Sequence, residues 1–149
     1  MKIPHAVYLL ALMWLIHIAQ TILPLDFNAY GILPRDLYGL LGIPLAPWLH
    51  ADWGHLLSNS IPFVILGALI QFKNTEIFWE STLFIGIIAG AGTWLFGSSA
   101  YHIGASGLTT GMMFFVFVIG AIRWDRRAIV LSMLVFFLTA AWCGESFPS

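Results

Sequence analysis

Five stretches of the chain are apolar almost without interruption, and the polar positions gather between them. They run over Ile3–Leu23, His55–Phe72, Ile77–Phe96, Ser106–Ile122 and Ala128–Trp142. A helix needs about 20 mostly apolar residues to cross the hydrocarbon core, and all five come near that length. The last two are short, and flanking Trp and Arg side chains adjust the depth of short spans. The first stretch runs to Leu23 with no small-residue cleavage site, so it reads as a retained helix rather than a signal peptide. The pattern predicts an all-α, polytopic membrane helix bundle, organised as one domain over residues 1–149.

The longest connection, from Pro24 to about Gly54, is punctuated by Pro34, Pro44 and Pro47 and by Gly31, Gly39 and Gly42. Its apolar residues, among them Ile32, Leu33, Leu37, Leu40 and Leu41, are too many for a solvated loop. A segment lying in the membrane interface fits that composition.

Composition agrees. Hydrophobic residues make up 60% of the chain and charged residues 9%, against about 25% charged in a soluble domain; mean hydropathy is +0.90. The net charge of -1 offers no basic surface for nucleic acid. Cys143 stands alone, so no internal disulfide forms, and no Cys/His spacing matches a structural metal site. With five spans, Lys2, Lys73, Arg123, Arg126 and Arg127 fall on one side and Arg35 on the other. That asymmetry places the N-terminus in the cytoplasm. Trp48, Trp53, Trp79, Trp94, Trp124 and Trp142 sit near span ends as interfacial anchors do, whereas Trp14 lies mid-span.

Polar side chains inside a span are costly and usually face the bundle interior or a wet cavity. Two clusters stand out. His50, Asp52, His55 and Asn59 surround the start of the second span, with His55 and Asn59 one turn apart on one face. His102, Gly104, Ser106, Gly107 and Thr110 surround the start of the fourth. Both spans start on the outer side, so His55, Asn59 and Ser106 share one level near the outer leaflet. Gly86 and Gly90, and Gly107 and Gly111, stand at the spacing that lets helices approach closely in lipid. Singly these features are ordinary: Ser106 reads as a capping or packing serine, His55 and Asn59 as interhelical hydrogen-bond groups, the glycine pairs as packing. Their joint occurrence points to a small polar site. A metal bound by His50, Asp52, His55 and His102 is a weak alternative, since the spacing is irregular. His5 and His17 suggest no role.

His55-Leu-Leu-Ser-Asn59 opening one span and Gly104-Ala-Ser106-Gly107 opening the span two further on, with His50 five residues before His55, resemble the rhomboid intramembrane serine proteases. The resemblance runs from the interfacial first loop through the fifth span. It implies hydrolysis of a peptide bond in or beside a substrate's transmembrane segment, with no cofactor and no metal. Ser106 would be the nucleophile. The Ser106 backbone N–H, His55 and the Asn59 amide would hold the oxyanion. Transmembrane proteins and the lipid bilayer would be the partners, in a bacterial inner membrane. Oligomeric state is not legible.

The chain departs from the family in two places. Rhomboids take their general base from a histidine on a sixth transmembrane helix, whereas these residues supply five of the usual six. The domain therefore reads as C-terminally incomplete, with little or no proteolytic activity of its own. His102 would reach Ser106 only if the intervening loop curled back. Thr110 stands where many members carry an aromatic. Two other classes fit the same residues: a catalytically dead relative that binds transmembrane helices, and a small channel or transporter subunit. The latter would need polar residues along a whole pathway, and spans three and five have almost none.

Overall fold

The structure is a computed structural model describing residues 3–23 and 26–145, with side chains as far as residue 139. Lys2, Pro24 and the side chains of Trp142 and Cys143, which enter the expectations above, lie outside the described residues.

The long helices are α1 (His5–Ile22), α3 (Trp53–Lys73), α4 (Thr75–Phe96), α5 (Ser106–Ile122) and α6 (Arg126–Glu145). A four-residue helix, α2 (Gly42–Leu45), and short 3-10 turns at Phe27–Tyr30, Tyr38–Leu41 and Ala46–Trp48 fill the first connection. The chain is an all-α bundle; among the described residues the extended backbone pairs in one isolated antiparallel bridge, between Ile32 and His102. α1, α3 and α4 are long and apolar enough to cross a membrane, and α5 is an apolar helix of 17 residues.

The helix ends follow from capping chemistry. Asp52 precedes α3 and accepts the His55 N–H at 2.8 Å, so the helix begins two residues earlier than hydropathy alone suggests. Asn74 forms the whole link between α3 and α4, its Oδ1 accepting from the Glu76 and Ile77 N–H groups. Asp125 accepts from the N–H groups of Arg127 and Ala128, which draws α6 back to Arg126.

α3 is the central helix and packs against α1, α4, α5 and α6. It contributes Leu56, Phe63, Leu66 and Ile70 to the core, which meet Met13 of α1, Phe78 of α4 and Met112 of α5. Leu15, Leu83, Phe84, Ile88 and Phe137 point outward and are exposed, as side chains in contact with lipid must be. Trp14, the mid-span tryptophan, donates to Ser60 Oγ at 3.1 Å and so ties α1 to α3 inside the bundle. At Gly111 a β-carbon would overlap Ile85, so the glycine sets the close approach of α5 to α4. Gly86 faces open space, and only part of the two glycine pairs serves packing.

The charged residues divide between the two ends. Lys73 Nζ pairs with Asp125 Oδ2 at 3.3 Å, joining the end of α3 to the α5–α6 turn that carries Arg123, Arg126 and Arg127. Arg35 lies at the opposite end, donating to the carbonyls of Leu95 and Gly97 around the end of α4.

Candidate active site

Asp52 fixes the first turn of α3, which puts His55 at the rim of the bundle and Asn59 one turn deeper, where it is buried. The loop leading into α5 is pinned from the first connection. His102 and Ile32 exchange backbone hydrogen bonds at 2.9 Å, and the Gly104 N–H donates to the Ala46 carbonyl at 2.8 Å. Gly104 has φ +109, a conformation essentially reserved for glycine. Its backbone lies against the His55 imidazole, where a β-carbon would stand 2.5 Å from Cε1. The starts of α3 and α5 therefore meet edge to edge, and Ser106, first residue of α5, is two positions from that contact.

His50 completes the junction. It is fully buried, its ring is 5.2 Å from that of His55, and its Nε2 faces the Ala105 N–H at 3.4 Å. Burial, reinforced by His55 and His17, lowers its pKa from 6.5 to about 4, outweighing the Trp48 backbone and Asp52, which act the other way. A neutral His50 is thus built in beside the Ser106 turn. Because the folded pKa is the lower one, the unfolded chain binds more protons between about pH 6.5 and 4. Stability is present above that window and falls as pH drops through it, by up to ~1.4 kcal/mol per pH unit from this group. Melting in detergent should show this decline, and His50→Gln should flatten part of it. An unchanged profile in that variant would remove His50 as its source.

Ser106 is exposed, and its hydroxyl makes no hydrogen bond among the described residues. Ala105, the residue that precedes α5, supplies no side-chain cap. The first N–H groups of the helix thus have no side-chain cap, at the positive end of its dipole. Together with Gly104, Gly107, Ala46 and His102, Ser106 lines a cavity of about 150 Å³.

The sequence-predicted residues meet this arrangement unevenly. His55 touches the turn that carries Ser106. Asn59 Nδ2 donates to the His55 carbonyl at 2.9 Å, so its amide is engaged with its own helix. His102 shares the cavity with Ser106, but its Nε2 sits 3.0 Å from the Ser98 carbonyl, turned to the far side of the loop. Thr110 is exposed one turn below Ser106 and, with Thr109 and Thr139, lines a separate cavity of about 180 Å³ between α5 and α6.

His17, to which the sequence lends no role, is buried with both ring nitrogens unpartnered and stands edge-on to Trp53 at 4.4 Å. The cost of an imidazole in a span was the available signal. Its neighbour depends on which face of α1 meets α3, and spacing does not give that.

Against known proteins, the Rhomboid domain profile matches residues 35–147. The chain belongs to the rhomboid family. This rhomboid is 36% identical over 134 residues to an uncharacterized protein of Mycobacterium tuberculosis, covering 86% of this chain and 56% of that protein. It is 38% identical over 119 residues to an uncharacterized protein of Mycobacterium leprae, covering 74% and 47%. It is also 36% identical over 87 residues to rhomboid-like protein 11, chloroplastic, of Arabidopsis thaliana, covering 57% and 31%. The chain spans about half the length of the mycobacterial relatives it matches. No solved structure matches it. Family membership and the apolar helices make this rhomboid an integral membrane protein.

Proposed function

We propose that this rhomboid domain is the scaffold of an intramembrane serine protease acting on transmembrane proteins. The observation that carries the reading is the junction of α3 and α5, where the His55 imidazole rests on the Gly104 turn immediately before an exposed Ser106.

In this reading the Ser106 Oγ attacks the scissile carbonyl carbon while a base takes its proton. The carbonyl oxygen becomes an oxyanion, held by the Ser106 N–H, His55 and the Asn59 amide once Asn59 turns from the His55 carbonyl. Collapse of the tetrahedral species breaks the C–N bond, and the base returns its proton to the departing amine. Water then hydrolyses the acyl-enzyme by the same steps. Among the described residues no group is hydrogen-bonded to Ser106 as a base; the family resemblance gives that role to a histidine on a sixth helix.

That unengaged hydroxyl also favours a second reading, in which the domain binds transmembrane segments without cutting them. A fluorophosphonate probe separates the two, because labelling requires an activated serine. Residues 1–149 in detergent should not label. A chimera that appends the sixth helix of a longer rhomboid should label, and Ser106→Ala should abolish it. A chimera that stays folded yet never labels would leave the binder.

We further propose a bacterial inner membrane with a cytoplasmic N-terminus, on the five-to-one division of Lys and Arg. Alkaline phosphatase fused after Gly97 should be active and after Asn74 inactive; the reverse pattern would invert the topology.

A further inference from the structure

At the end of the bundle opposite Ser106, α3, α4, α5 and α6 enclose a cavity of about 690 Å³. Its walls are hydrocarbon, including Ile70, Phe115, Ile119 and Leu131. Its lining also includes Lys73, Arg123, Arg126 and Arg127, with Asp125 as the carboxylate among them. Asp125 is committed: it pairs with Lys73 and caps α6. The remaining carboxylates of that end, Glu76 and Glu80, are exposed and do not line the cavity. Among the described residues the three guanidinium groups thus have no anionic partner.

The turn that presents them is fixed. The Asp125 N–H donates to the Gly120 carbonyl at 2.9 Å and the Arg123 N–H to the Ile119 carbonyl at 3.0 Å. Between them Trp124 is held at φ +53 and is 88% exposed. A large indole projecting outward there belongs at headgroup depth. It sets the arginines at the level of lipid phosphates, with the apolar walls running into the hydrocarbon.

We infer that this cavity is a binding site for an anionic phospholipid of the adjoining leaflet. Its phosphate is held by Arg123, Arg126 and Arg127 and an acyl chain lies in the cleft between α3 and α5. Guanidinium groups match phosphate oxygens bidentately, and basic pockets between spans on the cytoplasmic side suit anionic headgroups. The volume lies within the range of small-ligand sites, about 300–1,000 Å³. A free phosphate would satisfy the arginines but leave the apolar walls uncovered; a zwitterionic lipid would satisfy the walls but bring its own cation to the arginines. The site does not depend on whether the chain is a protease.

Native mass spectrometry of the delipidated 149-residue chain tests this, with phosphatidylglycerol, phosphatidylcholine and inorganic phosphate as separate probes. One phosphatidylglycerol should bind at least about tenfold more tightly than phosphatidylcholine, and phosphate should not displace it. The triple variant Arg123→Gln, Arg126→Gln, Arg127→Gln should erase the preference while circular dichroism stays unchanged. Ile119→Trp, which fills the cleft, should weaken phosphatidylglycerol binding with the arginines intact. Because that variant carries a folding risk, the arginine triple, which alters exposed side chains alone, decides independently. Equal binding of the two lipids, a silent arginine triple, or full competition by phosphate would each overturn the assignment.

Discussion

In a chain that carries a base, Ser106→Ala should bring cleavage of a transmembrane substrate to background, a loss of roughly 10⁴–10⁶-fold. The fold should not notice. Ser106 is exposed and its hydroxyl makes no hydrogen bond among the described residues, so melting should shift by no more than about 0.5 kcal/mol of stability. That separation is what makes the variant informative: a large kinetic effect with no structural one is the signature of a reacting group. Asn59→Ala provides the graded comparison. Losing one oxyanion donor costs about 10²–10³-fold in turnover, and the bond it now makes, to the His55 carbonyl one turn back, is local to α3. Cleavage measured on a reconstituted substrate should therefore rank wild type above Asn59→Ala, and both above Ser106→Ala. Wild-type rates in Ser106→Ala would end the nucleophile assignment.

How much of this the sequence carried depends on the range of the interaction involved. α5 is bounded as hydropathy predicts, Ser106–Ile122, because a glycine turn precedes it and charged residues follow. Hydropathy starts α3, α4 and α6 each two residues late. It counts apolar side chains, whereas each helix begins where Asp52, Asn74 or Asp125 offers a side-chain oxygen to free N–H groups. The first connection read as an interfacial segment, but its turns were not separable in a stretch rich in Gly and Pro. Tertiary contacts decide them: Trp94 Nε1 donates to the Asp36 carbonyl, and Ile43 of α2 packs on Gly90 of α4.

The site shows the same division. That His55 and Ser106 share one level follows from counting spans, and it needs no side-chain geometry. The direction of the Asn59 amide, the turning of His102 toward Ser98, and the burial of His17 beside Trp53 are set by rotamers and helix faces. The arginines show it most plainly. In sequence Arg123, Arg126 and Arg127 are a topology signal; only the packing of α3 and α4 against α5 and α6 turns them into the lining of a cavity.

A large effect on the site from a residue that does no chemistry should come from Gly104. Two independent constraints meet there. Its φ of +109 lies where a side chain costs about 1–3 kcal/mol. A β-carbon would also stand 2.5 Å from His55 Cε1 and 2.7 Å from Nε2, too close for either group to stay in place. Relief requires the turn to open or the imidazole to swing away, and both separate Ser106 from its proposed oxyanion partner. Gly104→Ala should therefore lower stability by a few kcal/mol and slow fluorophosphonate labelling of the six-helix chimera by about 10²-fold or more. Gly107→Ala is the control, one helical residue beyond Ser106. Its β-carbon would meet Ala89 Cβ at 3.3 Å, a contact that a small shift relieves, and α5 is regular there. If the two alanines behaved alike in melting and in labelling, the Gly104 turn would have no special part in holding His55 and Ser106 together. A selective loss at Gly104 would place the organisation of the site in the backbone, ahead of any side chain that reacts.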